Sequence, residues 1–161
     1  MLVVYLAKKA GLEVYPQIFV GMAAIAGHNW PIFLRFNGGR GILTTVGVIF
    51  VLATWLTIAM LIIAFSFAPF HHLAIGTVLA LALGPLGTWF LAQPFNVDRS
   101  LSLTIGFLAV FLLAVIRRLA VPRTELSTST PPGELLLNRL LFDRDIKDRA
   151  MWTKRSPDKG T

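Results

Sequence analysis

Residues 42–70 run for 29 positions without a single charged side chain. As one helix this stretch would be about 43 Å long, against a bilayer hydrocarbon core of about 30 Å. Further apolar runs cover residues 16–26, 73–91 and 101–116. Charged residues make up 14% of the chain, where a soluble domain carries about 25%. The apolar runs are continuous and do not alternate, which disfavours a β-barrel. The expected fold class is all-α: a polytopic integral membrane protein with four or five membrane segments and a C-terminal amphipathic surface helix.

Fifteen Lys and Arg against eight Asp and Glu leave a net charge of +7. Ten of the fifteen basic residues lie in 117–161, directly after the last apolar run. That is the cytoplasmic excess of Lys and Arg in membrane proteins, so no nucleic-acid partner is expected. There is no cysteine, which removes disulfides, thiolate nucleophiles and Cys-based zinc sites; no cofactor or metal is expected. The order of the apolar residues 1–7 before Lys8-Lys9 is the reverse of a secretory signal and resembles the last turns of a helix. Three regions follow: a membrane-embedded part (1–121), a Ser/Thr/Pro linker (122–133) and a basic cytoplasmic tail (134–161). Within the tail, residues 134–152 read as one amphipathic helix on the membrane surface, with Leu137, Leu140 and Leu141 opposite Arg139, Arg144 and Asp148.

Positive-inside logic puts both Arg35/Arg40 and the basic tail in the cytoplasm. An even number of crossings must then separate them, whereas the plain count is three. A break of the overlong 42–70 run near residues 53–55 would restore parity.

Between the first two long apolar runs lies Gly27-His28-Asn29-Trp30-Pro31-Ile32-Phe33-Leu34-Arg35-Phe36-Asn37-Gly38-Gly39-Arg40-Gly41. Three glycines bracket Arg40 and lead into an apolar helix start. Glycine allows close backbone approach, a helix N-terminus offers free N–H groups, and an arginine fork suits phosphate oxygens. The pattern reads as an anion-binding loop at a membrane surface; its alternative is a tight interhelical turn with one snorkelling arginine. Trp30, Phe33 and Phe36 read as an interfacial aromatic belt, and His71-His72 as interfacial anchors.

The 27–41 stretch, continued by Thr44 or Thr45 and Gly47, resembles the second motif (roughly GHxxPxFLxFxGGKGxAT) of the bacterial acyl-phosphate:glycerol-3-phosphate acyltransferase (PlsY) family. The resemblance implies a multi-pass protein of the bacterial inner (plasma) membrane with its site facing the cytoplasm. It implies transfer of an acyl chain from acyl phosphate to the 1-hydroxyl of glycerol 3-phosphate, giving lysophosphatidic acid for phospholipid biosynthesis. Its partners would be glycerol 3-phosphate, acyl phosphate and membrane lipids. Arg40 stands where the family has Lys. With Arg35, Asn37, Gly38, Gly39, Gly41 and Thr44 it would bind phosphate, and His28 would serve as a base or orient the loop. The family's third motif (Arg-Leu-x-x-Gly-x-Glu) is matched in part by Arg139-Leu140-Leu141-Phe142-Asp143-Arg144-Asp145, making Asn138 and Arg139 further binding candidates. Asp143 replaces Gly and Asp145 replaces Glu; Gly133 and Leu136 stand at the motif's His and Asn. No Gly-Ser-x-Asn first motif precedes Gly27, and His72-Leu73-Ala74-Ile75 replaces a serine stretch. An alternative is therefore a catalytically incomplete relative that binds phosphate or lipid precursors or partners another acyltransferase. A transporter is disfavoured by the lack of intramembrane charge.

Overall fold

A computed structural model describes residues 1–36, 38–90, 100–122, 124, 127, 128 and 130–154. Among them every regular element is helical: α1 Leu2–Lys9, α2 Val14–Asn29, a 3-10 turn Ile32–Leu34, α3 Ile42–Leu52, α4 Thr54–Ser66, α5 Leu73–Phe90, α6 Ser100–Leu119, α7 Pro132–Phe142 and α8 Arg149–Lys154. Residues 2–7 are helical, as their composition suggested, and after α1 the chain turns at Gly11 in the left-handed region. Pro16 sits in the first turn of α2, where its missing N–H leaves no bond unmade, so the helix extends back to Val14. At its other end α2 takes in His28 and Asn29, which the sequence had assigned to the loop. Gly21 lets α2 approach α3, since a Cβ there would lie 2.5 Å from Val48 Cγ1; Gly27 faces open space.

The long apolar run breaks at Ala53, between α3 and α4, within the interval that parity required. An interrupted backbone is tolerated in an apolar setting only if its polar groups are satisfied. Here Ala53 N–H donates to the Ile49 carbonyl at 2.8 Å and Thr57 N–H to the Ala53 carbonyl at 2.9 Å. The Thr54 and Thr57 hydroxyls donate to the Phe50 and Ala53 carbonyls at 2.9 and 2.8 Å. The two arms form a hairpin: Ile42 and Thr45 of α3 face Met60, Ala64 and Phe65 of α4 across one cavity. Eleven and thirteen residues correspond to about 16 and 20 Å, so neither arm reaches across a 30 Å core by itself.

Among the described residues, two helices have the length and apolar composition to cross a membrane, Leu73–Phe90 and Leu101–Leu119. They pack on each other at small residues: a Cβ on Gly84 would lie 2.9 Å from Phe107 Cδ1. Pro85 stays within α5; the Thr88 hydroxyl contacts the Pro85 carbonyl at 2.8 Å and the Thr104 hydroxyl at 3.0 Å. Of the polar loop expected between them, residues 92–100, residues 92–99 lie outside the described residues and Ser100 opens α6. Large apolar side chains stay uncovered around the bundle, with Leu43 87%, Phe90 72% and Phe19 70% exposed. A water-soluble surface avoids patches of this kind; hydrocarbon covers them at no such penalty.

Two expectations are corrected. Arg117-Arg118 end the apolar run 101–116 but are not solvated cytoplasmic charges: α6 continues to Leu119, and both arginines are buried. They are kept inside because carbonyl oxygens accept their N–H groups, which offsets the desolvation of the charge. The single helix over 134–152 is also absent. α7 ends at Asp143, which adopts φ 58°, and the chain folds back so that Asp145 meets Arg139. The face of α7 carrying Leu135, Asn138 and Arg139 is buried, while Leu136 and Leu137 are exposed.

Candidate functional site

Four segments distant in sequence converge at one end of the bundle: the glycine loop before α3, the turn after α4, the end of α6 and the end of α7. The loop owes its shape to α2. A Cβ on Gly38 would overlap the His28 carbonyl oxygen, and one on Gly41 would overlap Asn29 Oδ1. Gly41 also has φ 67°, a conformation that costs an L-residue about 1–2 kcal/mol. The His28 ring lies over Gly39, with Nε2 2.8 Å from where a Cβ would stand. Asn29 is 1% exposed, and its Oδ1 has no partner among the described residues.

From the opposite side, Arg117 clamps the loop. Its Nε donates to the Gly39 carbonyl at 3.0 Å and its Nη2 to the Gly38 carbonyl at 2.6 Å. The same guanidinium lies 5.7 Å from the Trp30 ring centroid, within cation–π range. Arg118 donates to the Leu140 carbonyl at 2.7 Å and to the Ala74 carbonyl at 3.3 Å, tying α6 to α7 and to the start of α5. Neither residue was among the sequence candidates. The adjacent arginines were visible, but the positive-inside rule had already accounted for them.

Arg40 emerges from the loop into the centre of this end. Its Nη1 donates to the Asp143 carbonyl oxygen at 2.7 Å and pairs with the Asp143 carboxylate. It also lines three cavities. One is an apolar chamber of about 180 Å³ between α3, α4 and α5, walled by residues such as Ile49, Met60 and Ala80, with Arg40 and Arg118 in its lining. The others are pockets of about 240 and 230 Å³ with charged side chains in their linings, Asp143 and Arg144 being common to both.

The remaining sequence candidates occupy varied places. Arg35 is exposed with φ 50°, and Asn37 lies outside the described residues. Thr44 is half-buried in the first turn of α3; its neighbour Thr45, 4% exposed, lines the apolar chamber. Asn138 Nδ2 donates to the Asp145 carbonyl at 3.4 Å. Arg139 donates from Nε to Asp145 Oδ1 at 2.7 Å and from its Nη atoms to the carbonyls of Leu119, Val121 and Pro122. The third-motif segment thus reaches the glycine loop through Asp143, 103 residues away in sequence, while Arg139 staples α7 to the chain leaving α6. No group of three or more His, Asp or Glu is placed to hold a metal among the described residues.

Asp143 holds a positive φ that glycine adopts freely and that aspartate tolerates better than most residues. Burial raises the Asp145 carboxyl, but the hydrogen bonds from Arg139 and Thr124, with the Arg139 charge, outweigh it and hold the group below its ordinary value. A depressed folded value means stability that is complete above the unfolded carboxylate range and lost as pH falls through the folded value. Thermal unfolding of the detergent-solubilised protein is therefore expected to lose stability below about pH 4, and Asp145→Asn should flatten that acid limb.

A family model described as glycerol-3-phosphate acyltransferase matches residues 1–123. The chain belongs to the glycerol-3-phosphate acyltransferase family. Two relatives come from strains of Dehalococcoides mccartyi. Glycerol-3-phosphate acyltransferase 4 is 41% identical over 155 residues, 96% of this chain and 67% of the relative. Glycerol-3-phosphate acyltransferase 5 is 39% identical over 153 residues, 95% of this chain and 66% of the relative. A glycerol-3-phosphate acyltransferase of Pseudomonas putida is 35% identical over 86 residues, 53% of this chain and 44% of that protein. The chain thus spans about two thirds of the length of the first two relatives. No solved structure matches it.

Proposed function

We propose that this member of the acyltransferase family transfers an acyl chain from acyl phosphate to the 1-hydroxyl of glycerol 3-phosphate, giving lysophosphatidic acid. One observation carries the reading: Arg40 lines both an apolar chamber and two pockets that hold charged side chains. An acyl phosphate has that same division, an apolar chain ending in a dianion. With its chain among α3, α4 and α5, its phosphate reaches Arg40. The glycerol hydroxyl attacks the acyl carbon, an ester C–O bond forms, and the bond to the phosphate oxygen breaks with its electron pair leaving on phosphate. The hydroxyl proton passes to a phosphate oxygen or to a nearby base. Because phosphate is already a good leaving group, positioning and charge stabilisation supply most of the catalysis. His28 packs on Gly39, which favours its orienting role over that of a base.

The same geometry supports the membrane placement. Arg40 before α3 and His71 after α4 line one pocket, so the α3–α4 hairpin enters and leaves on one face. With α5 and α6 crossing fully, the glycine loop and the C-terminal segment share one face, which the excess of Lys and Arg assigns to the cytoplasmic side of a bacterial inner membrane. The even parity that charge demanded is met by a re-entrant pair instead of two full crossings.

Membranes from cells expressing the chain, supplied with acyl phosphate and labelled glycerol 3-phosphate, are expected to form lysophosphatidate. No product above a vector control, with the protein present in the membrane, refutes the reading and favours a binding-only relative.

A further inference from the structure

Arg40 sits between glycines, and its side chain is 41% exposed. A ligand can therefore reach the guanidinium, but the loop by itself does not aim it. Asp143 does. Its carbonyl oxygen accepts a hydrogen bond from Arg40 Nη1 at 2.7 Å, and its carboxylate pairs with the same nitrogen. Nη1 carries two of the five guanidinium N–H groups, so Asp143 supplies an acceptor for each. Arg40 Nε and Nη2 make no hydrogen bond to the described residues. Together they form the side-on fork that can grip two phosphate oxygens at once. A carboxylate competing with a phosphate would occupy that fork, whereas Asp143 holds the opposite corner and leaves the fork open.

Asp143 is also well supported. It caps the C-terminus of α7, where Arg118 donates to the Leu140 carbonyl and Arg139 to the carbonyls of Leu119, Val121 and Pro122. Its side chain is only 13% exposed. A fixed, largely buried carboxylate thus holds an exposed guanidinium. The two residues are also two departures from the motifs the sequence resembles, which carry Lys at 40 and Gly at 143. An ammonium is a point charge with no fork to orient, and glycine has no side chain to orient one.

We propose that Asp143 is a positioning residue that orients Arg40, presenting its Nε–Nη2 fork to the phosphate of the acyl donor. The identity of that ligand rests on the acyltransferase reading; the aim of Arg40 at a phosphate-like dianion is testable without turnover.

The experiment is a double-mutant cycle of Arg40→Lys and Asp143→Gly in the full detergent-solubilised chain. Its readouts are kcat/KM for acyl phosphate and calorimetric binding of an alkylphosphonate, which has the donor's chain and dianion but no acyl group to transfer. Glycine adopts the φ 58° of position 143 freely, so the variant keeps the bend. Ordering one long side chain on binding costs about 3- to 10-fold in affinity. With Arg at 40, Asp143→Gly should weaken alkylphosphonate binding by about that factor and lower kcat/KM at least as far. With Lys at 40 it should cause no loss of either. Asp143→Asn, which keeps an acceptor oxygen and tolerates the left-handed region, should recover part of both. Equal losses in the two backgrounds would show that Asp143 only supports the fold, and unchanged or tighter binding by Asp143→Gly that its carboxylate does not orient Arg40; either result overturns the proposal. If the wild-type chain shows no turnover yet the binding pattern appears, the acyltransfer reading fails and the role of Asp143 stands. No alkylphosphonate binding by the wild type refutes that role.

Discussion

Arg40→Ala is expected to lower turnover about 10²–10³-fold, the range seen when one preorganised charge-stabilising donor is removed from an active site. Stability should hardly change. Arg40 is 41% exposed at its side chain, and ion pairs of that exposure contribute up to about 1 kcal/mol. The separation of the two effects makes the result informative: a residue that only closes an interhelical turn would alter Tm and activity together. Arg40→Lys keeps the charge, and the related motif carries lysine there, so it should recover much of the rate. Turnover of Arg40→Ala equal to wild type, measured by lysophosphatidate formation in membranes with matched protein levels, would refute the phosphate assignment.

Arg117→Ala should be nearly as damaging by a different route. The side chain touches the Gly38 and Gly39 carbonyls and the Trp30 ring and is absent from the linings of the three cavities around Arg40. It acts as a positioning residue, holding the two carbonyls so that Arg40 leaves the loop toward the chamber. Displacing a reacting group by about 1 Å costs about 10²-fold in rate, and two charge-assisted hydrogen bonds contribute about 1.5–3 kcal/mol each. The expected outcome is a roughly 10²-fold fall in kcat together with a lower Tm, in contrast to Arg40→Ala. Arg117→Lys supplies one point charge where a fork is needed and should recover stability more than rate. A variant with wild-type kcat would show that the loop keeps its shape without the clamp.

Much of this molecule could be read before its structure. Uninterrupted apolar runs exclude any fold that leaves backbone groups unpaired in hydrocarbon, so helices followed directly. The break near residue 53 followed from length against bilayer thickness and from charge parity. Gly38, Gly39 and Gly41 announced a tight loop because glycine alone fits against the His28 carbonyl and the Asn29 side chain. The resemblance carried by residues 27–41 pointed to the family that the comparisons show.

What the sequence by itself determined was thus local: helix type, the loop, and the segment of chain that bears Arg40. The partners of that loop were decided only by tertiary structure. Arg117 and Arg118 look like cytoplasmic charges at the end of an apolar run, and only packing reveals that carbonyls from other segments accept their N–H groups. The polar face of α7 looked solvated, yet it is the buried one, because Asp145 returns to Arg139 and hydrogen bonds make burial of that charge tolerable. Asp143 meets Arg40 across 103 residues, a pairing with no periodicity or spacing to betray it. Hydrophobic pattern reports which faces avoid water; where a buried charge finds its acceptors depends on chain segments that only the fold brings together.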